Sequence, residues 1–193
     1  MRPLLPEQVR KNSDLGTAFP KNLLQLGYAS DALGFGANHV VSGTVPIFWG
    51  GDVQAKRGVA LHYHHNVFHT HKLFSLDVGA SVSSWQSRRE SMTFYATSVF
   101  PVLQITPIRR EGTDLYLTYS LLGPTAISRA RIDGNQVGRH FTFQDFIGAG
   151  VFAGRGRRLN VELRIAHYSN GNIFPDNIGV AIPLTLNLGY AFH

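Results

Sequence analysis

Residues 182–192 read Ile182-Pro183-Leu184-Thr185-Leu186-Asn187-Leu188-Gly189-Tyr190-Ala191-Phe192, with a large apolar residue at each even position and a small or polar one between. A period of two is the mark of a strand whose two faces differ. The stretch 73–83 repeats it: Phe74, Leu76, Val78, Ala80 and Val82 alternate with Ser75, Asp77, Gly79, Ser81 and Ser83. A soluble barrel would turn its large apolar side inward. Here the opposite side carries Asp77, Asn160, Glu162, Arg164 and Asn187. Such residues suit a narrow polar lumen and leave the apolar rows to meet lipid, as in a transmembrane barrel.

Extending the alternation gives eight strands, near 22–34, 57–68, 73–85, 91–108, 114–122, 140–153, 159–169 and 180–192. The links at 69–72, 109–113 and 154–158 are short, while 35–56 and 123–139 are long. Short periplasmic turns alternating with longer external loops, on an even number of strands, are the habit of outer-membrane barrels. The predicted fold is therefore all-β, an eight-stranded antiparallel transmembrane β-barrel over 22–193, preceded by a periplasmic segment at 1–21. The expected location is the Gram-negative outer membrane, crossed many times. Met1–Asp14 lacks the hydrophobic core of a signal peptide, so an export signal is expected outside this sequence.

The 193 residues fit one domain. With 18 basic and 12 acidic side chains the net charge is +6, which suits phosphorylated lipid as well as nucleic acid. Nucleic acid is set aside because the basic residues are scattered through turns, without an aromatic-interleaved patch. The absence of cysteine excludes disulfides, thiol catalysis and cysteine-held zinc. No Gly-x-Ser-x-Gly elbow is present either, which sets aside the α/β-hydrolase reading.

Chemistry concentrates on the seventh strand. Its apolar row, Leu159, Val161, Leu163 and Ile165, continues as His167 and Ser169. Two residues apart on one strand face, these side chains are neighbours, a base beside a nucleophile. With periplasmic termini the seventh strand ascends, so the pair is expected at its outer end, facing lipid, where polar groups are costly unless they serve chemistry. The bland alternative is a polar rim.

The run His167-Tyr168-Ser169-Asn170-Gly171, followed by Asn177-x-Gly179, resembles the signature of PagL-type lipid A 3-O-deacylases. The stretch Phe141-Thr142-Phe143-Gln144-Asp145-Phe146-Ile147-Gly148-Ala149-Gly150 is similar to that family's sixth strand. The resemblance implies an outer-membrane serine esterase that hydrolyses the 3-hydroxyacyl ester at position 3 of lipid A with a Ser-His-Glu triad and no cofactor or metal. Carried over, Ser169 is the nucleophile, His167 the general base, and Asn170 a residue needed for activity. Asn177 suits the oxyanion hole, with backbone N–H groups near Gly171 as a second donor. The implied partners are lipopolysaccharide and outer-membrane lipid; a homodimer is compatible with the reading.

One position departs from the pattern. The triad's Glu falls at Ala181, and 178–193 holds no acidic residue. Another acid orients His167, or a dyad works alone, or the chain is a non-catalytic barrel with a structural or adhesive role. Strand geometry suggests the first. A hairpin centred on Gly156 opposes residues whose numbers sum to a constant, which sets Asp145 against His167. Asp145 also interrupts the apolar row Phe141, Phe143, Ile147, Ala149 and Val151. Asp176 is the alternative acid.

His62, His64, His65, His69 and His71 invite a metal reading, but no Asp, Glu or Cys accompanies them in that segment, and none is expected. Arg88, Arg89, Arg129, Arg131 and Arg139 fall in external loops, where guanidinium groups would pair with lipid A phosphates.

Overall fold

The computed structural model describes residues 19–34, 51–171, 173, 175 and 178–192. Eight strands form one sheet: β1 (Asn22–Ser30), β2 (Val53–His69), β3 (Phe74–Ser87), β4 (Thr93–Arg110), β5 (Thr113–Ile127), β6 (Phe141–Ala153), β7 (Leu159–Ser169) and β8 (Val180–Phe192). Each pairs antiparallel with the next, and β1 pairs with both β2 and β8, which closes the barrel and removes its edges. No described helix is long and apolar enough to cross a membrane, which says nothing of a barrel.

The predicted faces hold. Leu26, Tyr28, Val59, Val82, Leu117, Leu163 and Leu188 all point outward and are exposed, Leu26 to 62%. Their alternating partners fill the lumen. Glu162 and Arg164 form a buried ion pair at 2.6 Å; Gln25 and the Tyr116 hydroxyl donate to Glu162 at 3.0 and 2.9 Å. Asn160 donates to Tyr116 at 2.8 Å, and Arg164 stacks 4.0 Å over the Phe146 ring. Each buried charge has a partner, as a dry interior demands. His62 and His64 line this interior, with His62 Nδ1 3.3 Å from an Arg164 nitrogen.

Three strand limits differ by four residues or more from the sequence reading. β1 stops at Ser30 and passes into a short 3₁₀ turn, Asp31–Leu33, whose N–H of Ala32 donates to the Ser30 hydroxyl at 3.3 Å. β2 begins at Val53 rather than 57, because a bulge between Ala55 and Arg57 breaks the alternation there. β5 runs to Ile127 rather than 122, past a bulge between Ser120 and Gly123 beyond which pairing resumes through Pro124. The long 123–139 link thereby shortens and contains a two-stranded ribbon, Arg131–Ile132 against Asn135–Gln136. Its tight turn puts Asp133 (φ 51°) and Gly134 (φ 78°) in the left-handed region, as a two-residue Asp-Gly hairpin requires. Of the segment 1–21, only Phe19–Lys21 falls among the described residues.

Candidate active site

β6 and β7 are joined by the inner turn Gly154–Arg158, in which Gly154 and Gly156 take φ of 80° and 71°. The ladder above it runs in unbroken register from Ala153↔Leu159 to Phe143↔Ser169, and it opposes Asp145 to His167. On its other side His167 faces Ala181 of β8. Both cross-strand neighbours of the imidazole are thus fixed: a carboxylate on β6 and a methyl group on β8. Directly opposed side chains lie roughly 4.5–5.5 Å apart at Cβ, within reach of a carboxylate and an imidazole.

Asp145 is held from its far side as well. The bulge in β5 turns Leu122 into the left-handed region (φ 55°) and aims its N–H at Asp145 Oδ1, 2.6 Å away. A buried carboxylate with a backbone donor stays fixed in position. Sequence reasoning missed this donor, because the strand was ended at residue 122 with no bulge foreseen there.

The expectation that His167 and Ser169 face lipid is corrected in one respect. By alternation they do lie on the outward row, but they are covered: His167 is 2% exposed, Ser169 6% and Asp145 1%. From Ile165 to Ser169 β7 is buried on both faces. Part of the cover is visible. The start of β2 crosses beside β8, pairing parallel as Val53↔Val180 and Gln54↔Ala181. Just before that crossing Gly51 touches the backbone of Gly179 so closely that no side chain fits there. Just past the strand Asn170 is fully buried, and Gly171, exposed with φ 62°, turns the chain away. Asn177 and the alternative acid Asp176 lie outside the described residues.

Beneath the pair, Tyr168 points inward. Its hydroxyl accepts from Trp85 Nε1 at 3.3 Å and meets Ser83 Oγ at 3.4 Å, tying the outer end of β7 to β3 across the lumen. The surrounding interior is aromatic and aliphatic, with Phe94, Phe146, Ile132 and Ile182 fully buried.

The outer loops interlock above. Asp133 accepts hydrogen bonds from the Ser87 hydroxyl and, at 3.0 Å each, from the N–H groups of Arg89 and Glu90. Burial alone would raise its carboxyl, but these donors outweigh it and hold the group below the usual carboxylate range. Arg88, Arg89, Arg129, Arg131 and Arg139 are exposed at this end. Arg88 donates to Gln54 at 2.8 Å and lies 3.8 Å from Asp31, and Arg129 donates to the Thr93 carbonyl at 2.8 Å. Among the described residues no group of three or more metal-ligating side chains occurs.

A closed barrel with a lipid-compatible exterior, a plugged polar lumen and a buried Asp-His-Ser row at its outer end defines a membrane-embedded β-barrel of outer-membrane type. A family profile described as lipid A 3-O-deacylase (PagL) matches residues 53–191. The chain belongs to this family of lipid A deacylases. The crystal structure of the outer membrane enzyme PagL matches at TM-score 0.56 and 18% identity, covering 89% of this chain and 99% of that one. The outer membrane protein OprG from Pseudomonas aeruginosa matches at TM-score 0.46 and 8% identity, covering 93% and 99%. Ail from Yersinia pestis matches at 0.43 and 14%, covering 90% and 100%. No curated protein matches the sequence.

Proposed function

We propose that this chain is an outer-membrane serine esterase that removes the 3-O-linked hydroxyacyl chain of lipid A in the outer leaflet, with Ser169 as nucleophile, His167 as general base and Asp145 as the orienting acid. The observation that carries the reading is the register of β6 against β7. It brings the three groups onto one outward row at the barrel's outer end, in a chain of the deacylase family.

On this reading lipid A approaches from the side, through the membrane, and its ester carbonyl meets Ser169 at the depth of the headgroups. Ser169 Oγ attacks the carbonyl carbon while His167 accepts the hydroxyl proton. The oxyanion is stabilised by backbone N–H groups near Gly171 and by Asn177, with Asn170 holding the turn. Collapse breaks the ester bond, and His167 returns the proton to the sugar oxygen. Water then attacks the acyl-serine, His167 again taking and returning a proton, and a free 3-hydroxy fatty acid leaves. Asp145, pinned by the Leu122 N–H, keeps the imidazole in one orientation and stabilises its charged form. Burial suits these roles, because a water-poor site strengthens each electrostatic contact.

The test is mass spectrometry of lipid A from cells with and without the protein. Loss of one 3-hydroxyacyl chain, dependent on intact Ser169, supports the enzyme; unchanged lipid A overturns it. The second reading, a non-catalytic barrel, draws on Ala181, which stands beside His167 where the resemblance calls for Glu.

A further inference from the structure

The links 109–113 and 154–158 hold five arginines, Arg109, Arg110, Arg155, Arg157 and Arg158, against one acidic residue, Glu111. A buried carboxylate of β5 joins the two links. Asp114 lies 2.8 Å from Arg157 Nε and 3.5 Å from an Arg109 nitrogen, and Arg157 also donates to the Arg110 carbonyl at 3.2 Å. Arg109 turns inward, its guanidinium 3.9 Å above the Phe19 ring. With Arg109 and Arg157 held on Asp114, the other three arginines stay exposed. Among the described residues no carboxylate forms an ion pair with Arg110, Arg155 or Arg158.

Strand pairing sets where these cations stand. One row crosses the outside of the barrel from β4 to β8 as Arg110↔Thr113↔Ala153↔Leu159↔Tyr190. Leu159 and Tyr190 are exposed on it, and Arg110 follows the exposed Ile108 by two positions. Arg158, next to Leu159 in the turn, reaches along the wall and donates to the Tyr190 hydroxyl at 3.2 Å. Between Arg110 and Arg158 the row holds only the short side chains Thr113 and Ala153, a shallow seat with Arg155 on the turn beneath it. Two positions up each neighbouring strand, Leu115 and Val161 are exposed and apolar.

We infer that this seat binds an anionic phospholipid of the inner leaflet, its phosphate between Arg110 and Arg158 and its acyl chains along Leu115 and Val161. The inference rests on the orientation proposed above, because a catalytic end in the outer leaflet puts these turns at the opposite membrane face. Leu159 and Ser169 are the two ends of β7, ten residue steps or roughly 33 Å apart along the strand, so no single headgroup touches both. The contact of Arg158 with Tyr190 is what favours a lipid. It holds a guanidinium against an aromatic residue of the lipid-facing wall, at the depth of headgroups, with its stem along apolar surface. An acidic protein would meet the turns from below and would have no use for the apolar positions above them. Clustered cations at a membrane surface favour lipids with net negative charge, whereas a zwitterionic headgroup brings its own ammonium.

The test mixes the full chain in detergent with equal amounts of phosphatidylglycerol and phosphatidylethanolamine and counts bound lipid by native mass spectrometry. The parent is expected to retain phosphatidylglycerol selectively. R110Q/R155Q/R158Q is expected to lower that occupancy about tenfold or more and to leave phosphatidylethanolamine unchanged. R110K/R155K/R158K keeps the charge and is expected to keep the lipid. K56Q/R57Q/K72Q removes as many cations elsewhere and is expected to bind as the parent does. Heat-modifiable migration checks the fold. If the glutamine variant does not fold, the parent decides: about 0.5 M sodium chloride should release phosphatidylglycerol and spare phosphatidylethanolamine. A parent without selectivity, unchanged occupancy in the glutamine variant, loss in the lysine variant or equal loss in K56Q/R57Q/K72Q overturns the inference. No turnover is needed for this measurement. Selective retention by a chain that leaves lipid A unaltered therefore overturns the catalytic reading alone, and an active chain without selectivity overturns this inference alone.

Discussion

Along β7 the segment Leu159–Arg164 alternates strictly, apolar and exposed, then polar and buried, whereas Ile165–Ser169 is buried at each position. The inner half obeys the rule of a barrel wall: Leu159, Val161 and Leu163 meet lipid, and Asn160, Glu162 and Arg164 fill the lumen. In the outer half the outward row changes from leucine and valine to His167 and Ser169, and the exposure vanishes. The lesson is that side and exposure are separate properties. Alternation sets which side a residue takes. Neighbouring strands and loops decide whether that side is wet, greasy or sealed.

The largest break in this comparison comes from the outer half. Ser169→Ala or His167→Ala is expected to lower deacylation by 10³ or more, on the order of what serine hydrolases lose with either group. The barrel should remain folded, checked by heat-modifiable migration on gels. An active Ser169→Ala protein rules out the nucleophile.

Asp145→Asn is the sharper probe. It should cost about 10²–10⁴ in turnover with KM little changed, as expected for loss of an orienting carboxylate. Ala181 flanks the same imidazole from the other strand, so Ala181→Glu in the Asp145→Asn background should recover part of the rate. Full activity of the folded Asp145→Asn chain ends the assignment of Asp145.

In the inner half the effects should be on stability. Glu162→Gln leaves Arg164 buried without its carboxylate, a change costing about 3–5 kcal/mol. Denaturant unfolding from detergent measures this, and the surviving folded barrel should deacylate at the parent rate. A loss of rate without a loss of stability would join the two halves functionally.

The smallest effect is at the loops. Because the folded Asp133 carboxyl lies below its ordinary value, its contribution is complete above the usual carboxylate range and fades as pH falls through the lowered one. The hydrogen-exchange protection of the Ser87–Met92 turn, taken relative to the intrinsic rate at each pH, should therefore fall on acidification below about pH 4. Asp133→Asn should remove that pH dependence and loosen the turn by about 1–2 kcal/mol at neutral pH. A pH-independent parent would contradict the role of this carboxylate.

These contrasts also mark what was legible in the sequence. The eight strands and their faces could be read because a lipid-facing row must be apolar at alternate positions. The opposition of Asp145 and His167 could be read because a tight hairpin fixes its own register. Strand limits failed at Lys56 and Leu122, where bulges shift the phase of the pattern. The burial of His167 and Ser169 was not legible, since it depends on β8 and the start of β2, far away in sequence. The Leu122 N–H is also non-local, a backbone group from another strand that carries no residue type to notice.

The inner turn Gly154–Arg158 gives the proposed acid an unusual independence. Asp145 reaches His167 through that short link, whereas a carboxylate at 181 would be joined to His167 through the outer connection 170–179. On the proposed reading, that outer connection flanks the approach of the lipid. With the acid on β6, changes of length or composition in the entrance can alter which acyl chains are admitted without moving the acid relative to its base. Substrate range and proton transfer are then free to vary separately, one tuned at the membrane surface and the other anchored at the periplasmic end of the hairpin.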